Sequence, residues 1–113
     1  MNVAALHKLN QEIGSGTLKN VLTDFLNELQ QRKNAIVKAI ETHDFKTYRE
    51  QCHALKANSQ TLGAEALHQH VSRQEQRVKE GLHEEVLAHW NQTESLIDSA
   101  HEFLQRFSQL IED

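Results

Sequence analysis

The chain has 113 residues, no proline and four glycines, and its formal net charge at pH 7 is −4. This length suits one domain with a modest core, and the scarcity of helix breakers favours long helices. The acidic balance argues against nucleic-acid binding, which usually needs a basic excess. No apolar run reaches the roughly 18 residues that span a bilayer. The lone cysteine, Cys52, is typical of a reducing cytoplasmic setting.

Apolar periodicity predicts five helices in chain order. They cover residues 3–13, 18–42, 45–60, 64–79 and 83–111. Thr17 is placed to cap the second helix and Asp44 the third, whereas Gly63 and Gly81 end the third and fourth. Short connections between four long amphipathic helices imply antiparallel neighbours. The predicted fold is therefore all-α, a single domain over residues 1–113 that forms an up-down-up-down four-helix bundle, with the short first helix at one end.

The third helix carries a histidine whose direction follows from the helical pattern. At about 100° per residue, one buried stripe contains Phe45, Tyr48, Cys52, Leu55, Ser59 and Leu62. His53 falls about 140° from the centre of this stripe, so its ring is predicted to face solvent. Ala57 lies one turn further along the exposed side and leaves the ring accessible to a partner.

Basic side chains surround this exposed ring in a protein that is acidic overall. Lys46, Arg49 and Lys56 fall on the same outer half of the helix as His53. A neutral imidazole beside cations suits transfer of an anionic group, because the ring attacks and the cations stabilise phosphoryl oxygens. The same pattern also fits an ordinary charged surface on which the histidine has no chemical role.

Residues 53–63, HALKANSQTLG, resemble the signature of histidine-containing phosphotransfer (Hpt) domains. That signature is a His, any residue, Leu or Ile, Lys, a small residue that is most often Gly, and then an apolar residue and a Gly ten positions after the His. Ala57 departs from the usual Gly. The resemblance includes Leu9–Gly14, Phe25-Leu26 and His43–Phe45 and covers residues 1–80, whereas the last helix matches only in length and amphipathicity.

The resemblance implies a phosphorelay carrier, which is no enzyme in its own right and has no ATP site or kinase activity. It would accept a phosphoryl group from a receiver-domain aspartate on the distal ring nitrogen of His53 and pass it to a second receiver aspartate. Lys56 would help to hold the group, and Gly63 would tighten the turn after the third helix. No cofactor is expected, since the Mg²⁺ belongs to the receiver.

The implied partners are the receiver domains of a hybrid kinase and of a response regulator. The carrier is expected to be a monomer without membrane contact, either free-standing or part of a hybrid sensor kinase. Its docking face is predicted on the outer side of the third helix and its neighbour. This face comprises Lys46, Arg49, Lys56, Ala57, Gln60, Gly63 and Arg73.

Members of the family often carry Gln or Glu near the His ring on the fourth helix. The matching residue here is Glu75. We predict that it accepts a hydrogen bond from the proximal ring nitrogen of His53 and so leaves the distal nitrogen free to attack. Glu50, one turn before His53, is the competing candidate.

Two other classes of function stay open. The first is a non-catalytic interaction module in which His53 is incidental. The second is a metal-binding bundle, because the chain has eight histidines and three Glu-x-x-His pairs, the first residues of which are Glu50, Glu65 and Glu80. Ligands in such bundles face the interior, whereas Glu50 and His53 are predicted to point outward, so no metal site is predicted.

Overall fold

The computed structural model describes residues 3–111, in which every regular element is an α-helix. The helices are α1 (Val3–Ile13), α2 (Ser15–Glu41), α3 (Phe45–Leu62), α4 (Glu65–Lys79) and α5 (His83–Leu110). The prediction of an all-helical fold is confirmed, and each boundary lies within three residues of its predicted position. Within this part of the chain, none of the helices is long and apolar enough to cross a membrane.

Local hydrogen bonds fix both ends of α3 as predicted. Asp44 is the N-cap: its Oδ1 accepts the backbone N–H of Thr47 at 3.1 Å, and its Oδ2 accepts the Thr47 hydroxyl at 2.6 Å. These bonds hold the pKa of Asp44 below its usual range. Gly63 ends the helix at φ 68°, a left-handed conformation that glycine adopts at little cost.

The predicted start of α2 is wrong. The helix begins at Ser15 after Gly14, which has φ 81°, so Thr17 lies inside the first turn and is not the cap. The Gly14-Ser15-Gly16 segment reads as a break in sequence, but one glycine in the left-handed region is enough to separate α1 from α2. Gly16 continues the helix.

The four longer helices pack side by side, and each contacts two others. Helix α2 contacts α3 and α5, α4 contacts the same two helices, and α1 packs against α2 and α3. The molecule measures 46 × 20 × 17 Å. Side chains of all five helices meet in one core. The stripe predicted on α3 is buried, with Phe45 half-buried at its beginning.

Helix α4 buries polar side chains as well as apolar ones. Leu67 and Val71 are buried, and Val78 is half-buried. His70, Gln74 and Glu75 are also buried, each with no more than 4% of its surface exposed. Burial of polar groups is costly unless each finds a partner, so these three residues need specific contacts.

His70 finds its partner on α5. Its Nε2 lies 2.6 Å from Oγ1 of Thr93, which in turn lies 2.9 Å from the hydroxyl of Tyr48 on α3. Burial, the largest cause, and the neighbouring charges of Arg77, His89 and Arg73 together lower the pKa of His70 to about 4. The ring is therefore neutral at pH 7, and the tautomer of His70 decides whether its Nε2 donates to or accepts from the Thr93 hydroxyl.

Acid is expected to destabilise the fold through His70. Its pKa in the folded state lies below the ordinary value of 6.5, so the unfolded chain binds the proton first as the pH falls. The stability from neutral His70 is complete above pH 6.5 and is lost between about pH 6.5 and 4, by roughly 2–3 kcal/mol. Urea denaturation at several pH values measures this slope. The slope should flatten in His70→Gln, and equal slopes would contradict the prediction.

Candidate functional site

His53 lies on the outer face of α3 with 73% of its side chain exposed. Its neighbours Cys52 and Leu55 are completely buried. Because successive residues of a helix are about 100° apart, burial of these neighbours turns the imidazole outward. The direction of the ring is thus set by the core stripe of α3.

Glu75 of the neighbouring helix α4 contacts the same ring. Only 6% of its side chain is exposed, and its Oε2 lies 2.7 Å from Nδ1 of His53. Its second oxygen, Oε1, accepts a hydrogen bond from Nζ of Lys56 at 3.0 Å. Both carboxylate oxygens therefore bind α3, and the exposed competitor Glu50 does not make this contact.

The surroundings of Glu75 keep it ionised. Burial raises the pKa of its carboxyl, but the hydrogen bonds from Lys56 and His53 and the charges of Lys56 and Lys79 outweigh burial and hold the pKa below its usual range. An ionised carboxylate only accepts hydrogen bonds. The proton of neutral His53 is therefore assigned to Nδ1, which leaves the lone pair on Nε2.

A shallow cleft of about 280 Å³ lies beside the ring. Its lining consists of Arg49, Glu50, His53, Glu75 and Lys79. No hydrogen bond or ion pair joins Arg49 or Lys79 to another side chain within residues 3–111, whereas Lys56 is bound to Glu75. Two cations beside the histidine are thus available to an anionic group.

Lys79 was not singled out from the sequence. It lies four residues after Glu75, and side chains at that spacing share one face of a helix. The spacing of four residues places Lys79 near His53 only if Glu75 contacts His53, and that contact depends on the packing of α4 against α3.

The predicted docking residues are spread over more than one surface. Lys46, Arg49, Ala57, Gln60 and Arg73 are exposed, and Lys56 and Gly63 are half-buried.

The cleft brings together only some of these residues. Gln60 and Gly63 lie further along α3 and line a second cleft of about 360 Å³, together with Ala5 of α1. Arg73 is not beside the ring of His53. It lies on the side of α4 that faces α5, where its charge acts on His70.

Charge is divided unevenly among the helices. Residues 45–79 contain six Lys or Arg and three acidic residues, whereas residues 83–110 contain one Arg and five acidic residues. The acidic protein therefore concentrates its positive charge on the two helices that carry His53 and Glu75. Within residues 3–111, no group of three or more His, Cys, Asp or Glu side chains is arranged to hold a metal ion.

The model of a family described as the Hpt domain matches residues 20–113. The match includes α5, which the sequence resemblance reached only in length and amphipathicity, and it leaves out α1 and therefore Leu9–Gly14. Searches of curated proteins and of solved structures give no significant match.

Proposed function

The chain belongs to the Hpt domain family, and on that basis we propose that His53 is its phosphoryl-carrying residue. Hpt domains serve histidine phosphotransfer in phosphorelay signalling and are carriers without kinase activity. The observation that carries the proposal is the 2.7 Å contact between buried Glu75 and Nδ1 of an exposed histidine. This contact holds the proton on Nδ1 and leaves Nε2 in solvent as the nucleophile.

In the proposed reaction, Nε2 of neutral His53 attacks the phosphorus of a phosphorylated receiver aspartate. The N–P bond forms as the P–O bond to the aspartate breaks, and the aspartate leaves as a carboxylate. The ring becomes positively charged because the proton stays at Nδ1, and the Glu75 carboxylate 2.7 Å away stabilises that charge. Attack by a second receiver aspartate reverses the same step and restores neutral His53.

Three cations are proposed to hold the phosphoryl oxygens. Lys56 keeps the role that the family resemblance implies, although its ammonium is bound to Glu75 at 3.0 Å in the unphosphorylated protein. Arg49 and Lys79 line the cleft beside His53. Cations placed around a transferring phosphoryl group stabilise the charge on its oxygens.

Receiver domains are the partners of Hpt domains, and we place their docking on the outer side of α3 around His53. The basic excess of residues 45–79 supports this choice. The docking residues are Lys46, Arg49, Lys56, Ala57, Gln60 and Gly63. The receivers of a hybrid kinase and a response regulator remain the proposed pair, and they would supply the Mg²⁺, so the carrier needs no ATP site and no cofactor of its own.

We also propose the finer architecture on which this function rests. Linkers of two or three residues join α2 to α3, α3 to α4 and α4 to α5, and α5 packs back on α2. Such short connections favour antiparallel neighbours, hence an up-down-up-down bundle in one domain. A monomer in the cytoplasm is the corresponding proposal for its state and location.

Transfer from a phosphorylated receiver tests the function. Radiolabelled receiver phosphate should move to this chain as an acid-labile, base-stable label, and an unphosphorylated second receiver should then remove it. These stabilities identify a phosphohistidine. If a panel of receivers yields no label, the chain acts instead as a non-catalytic interaction module.

Charge reversal at Arg49 should slow transfer through weaker association. We expect Arg49→Glu to lower the second-order transfer rate about tenfold at low salt, with a smaller effect at high salt, because screening weakens long-range attraction. Stopped-flow kinetics at several salt concentrations measure the effect. Arg106→Glu on α5 makes the same charge change away from the site and should leave the rate nearly unchanged. Equal effects of the two variants would contradict docking at α3.

A further inference from the structure

Behind the candidate site, three hydrogen bonds link four buried polar side chains, and we call this group the polar ring. It consists of Tyr48, His70, Gln74 and Thr93. Nε2 of Gln74 donates to the Tyr48 hydroxyl at 2.8 Å, Tyr48 and Thr93 are 2.9 Å apart, and Thr93 and His70 are 2.6 Å apart. Because His70 and Gln74 are one turn apart on α4, the ring closes through that turn and joins α3, α4 and α5.

Gln74 has partners for both ends of its amide. Nε2 also donates to the backbone carbonyl of Val86 in the first turn of α5 at 3.2 Å. Oε1 accepts from Nη1 of Arg77 at 2.8 Å. The carbonyl can only accept and the guanidinium can only donate, so these partners fix the orientation of the amide. Gln74 is completely buried, and any shift of α4 would leave buried polar groups unpaired.

Gln74, whose position is fixed by these bonds, is adjacent to Glu75, the residue that contacts His53. Glu75 follows Gln74 directly on α4, turned by about 100° so that it faces α3. On α3, Tyr48 lies in the buried stripe that also contains Cys52, the residue before His53. The polar ring thus joins α3 and α4 where the 2.7 Å contact between Glu75 and His53 forms.

An apolar contact at this place would bind the helices without selecting one register. Apolar side chains tolerate small displacements, whereas hydrogen bonds weaken steeply when distance or angle changes. The contact between Glu75 and His53 needs the same accuracy. Buried Gln74 and His70 can therefore fix the register of α4 against α3, which leucine at the same positions could not do.

We propose that Gln74 is a positioning residue for His53: through the polar ring it fixes α4 against α3 and so holds Glu75 against Nδ1. The kinetic part of this inference rests on the proposed function, whereas its structural part concerns the protonation of one nitrogen. The two parts can be measured separately.

The test uses Gln74→Leu, which retains the volume of the side chain and removes its hydrogen bonds. Nitrogen-15 NMR of the histidine rings should show a lower fraction of His53 with the proton on Nδ1. The phosphoryl transfer rate should fall on the order of tenfold, because small misplacements of reacting groups slow a reaction strongly. Leu67→Ala is the matched control, because it weakens the core of α4 without touching the polar ring. It should leave both the protonation of His53 and the rate unchanged.

A double variant tests whether Gln74 acts through Glu75. In a Glu75→Ala background, Gln74→Leu should lower the rate no further. An additive loss would overturn the proposal, as would an unchanged His53 spectrum in Gln74→Leu or an equal effect of Leu67→Ala.

If Gln74→Leu does not fold, Thr93→Val on α5 replaces it in the test. Valine has the shape of threonine but lacks the hydroxyl that bonds Tyr48 and His70, so the polar ring is broken. The same shift in His53 is expected. If the wild-type protein accepts no phosphoryl group, the proposed function fails, but the NMR comparison still decides whether Gln74 positions Glu75.

Discussion

The variant His53→Gln is expected to accept no phosphoryl group from a phosphorylated receiver. Glutamine has a similar polarity but no nucleophilic ring nitrogen, so the N–P bond cannot form. The substitution removes one hydrogen bond from the buried carboxylate of Glu75, so we expect it to lower the free energy of unfolding by about 1–2 kcal/mol without unfolding the domain. Radiolabel transfer measures the loss, and circular dichroism verifies that the helices remain.

The control for this loss is another exposed histidine. His89 lies on α5 and is exposed as His53 is, but among residues 3–111 no carboxylate is bonded to its ring. His89→Gln should accept the label at the wild-type rate. Label on His53→Gln, or loss of label on His89→Gln, would show that the carrier residue lies elsewhere.

Removal of Glu75 should cause the second-largest loss. In Glu75→Ala, Nδ1 of His53 loses its acceptor and Lys56 loses its anchor, so both the proton position and the charge balance of the reaction change. We expect the transfer rate to fall on the order of 100-fold, the scale of effects seen for a group that orients a reactive histidine. Single-turnover transfer under receiver excess measures the chemical step.

Two further variants separate the roles of Glu75. Glu75→Gln keeps an oxygen that accepts from Nδ1 but removes the negative charge, so a loss of about tenfold is expected. Glu50→Ala removes the competing carboxylate in the same cleft and should leave the rate within about twofold. A wild-type rate in Glu75→Ala would exclude the proposed role. A large loss in Glu50→Ala would move that role to Glu50.

The direction of His53 was predictable because it depends only on the period of one helix. The buried stripe of α3 contains large apolar residues at regular intervals, so the phase of the helix is unambiguous and the exposed side follows from it. The end of α3 at Gly63 and its cap at Asp44 were predictable for a similar reason, since both are local and depend on a few adjacent residues.

The buried face of α4 was not predictable in this way. His70 and Gln74 are polar, and the pattern of α4 alone places polar residues in solvent. Their burial depends on Tyr48 and Thr93, which are distant in sequence and meet them only in the folded core. A single-helix pattern contains no information about such partners.

The choice of Glu75 came from the family resemblance. No periodicity in α4 distinguishes its carboxylate from that of the exposed Glu65. Its contact with His53 depends on how α4 is rotated against α3, which the sequence pattern did not specify. Arg73 illustrates the same limit, since it was grouped with the docking residues by charge and lies on the other side of α4.

The slender cross-section of the molecule, 20 × 17 Å, bears on how long a signal lasts on this protein. A helix with its side chains is about 10 Å across, so the bundle is two helices thick in each of these directions, and His53 lies on its surface with 73% of its side chain exposed. A phosphoryl group on Nε2 of His53 would therefore be bathed in bulk water. The lifetime of the phosphorylated free carrier would then equal the hydrolysis lifetime of its N–P bond. The concentration of the next receiver would decide whether transfer occurs before hydrolysis.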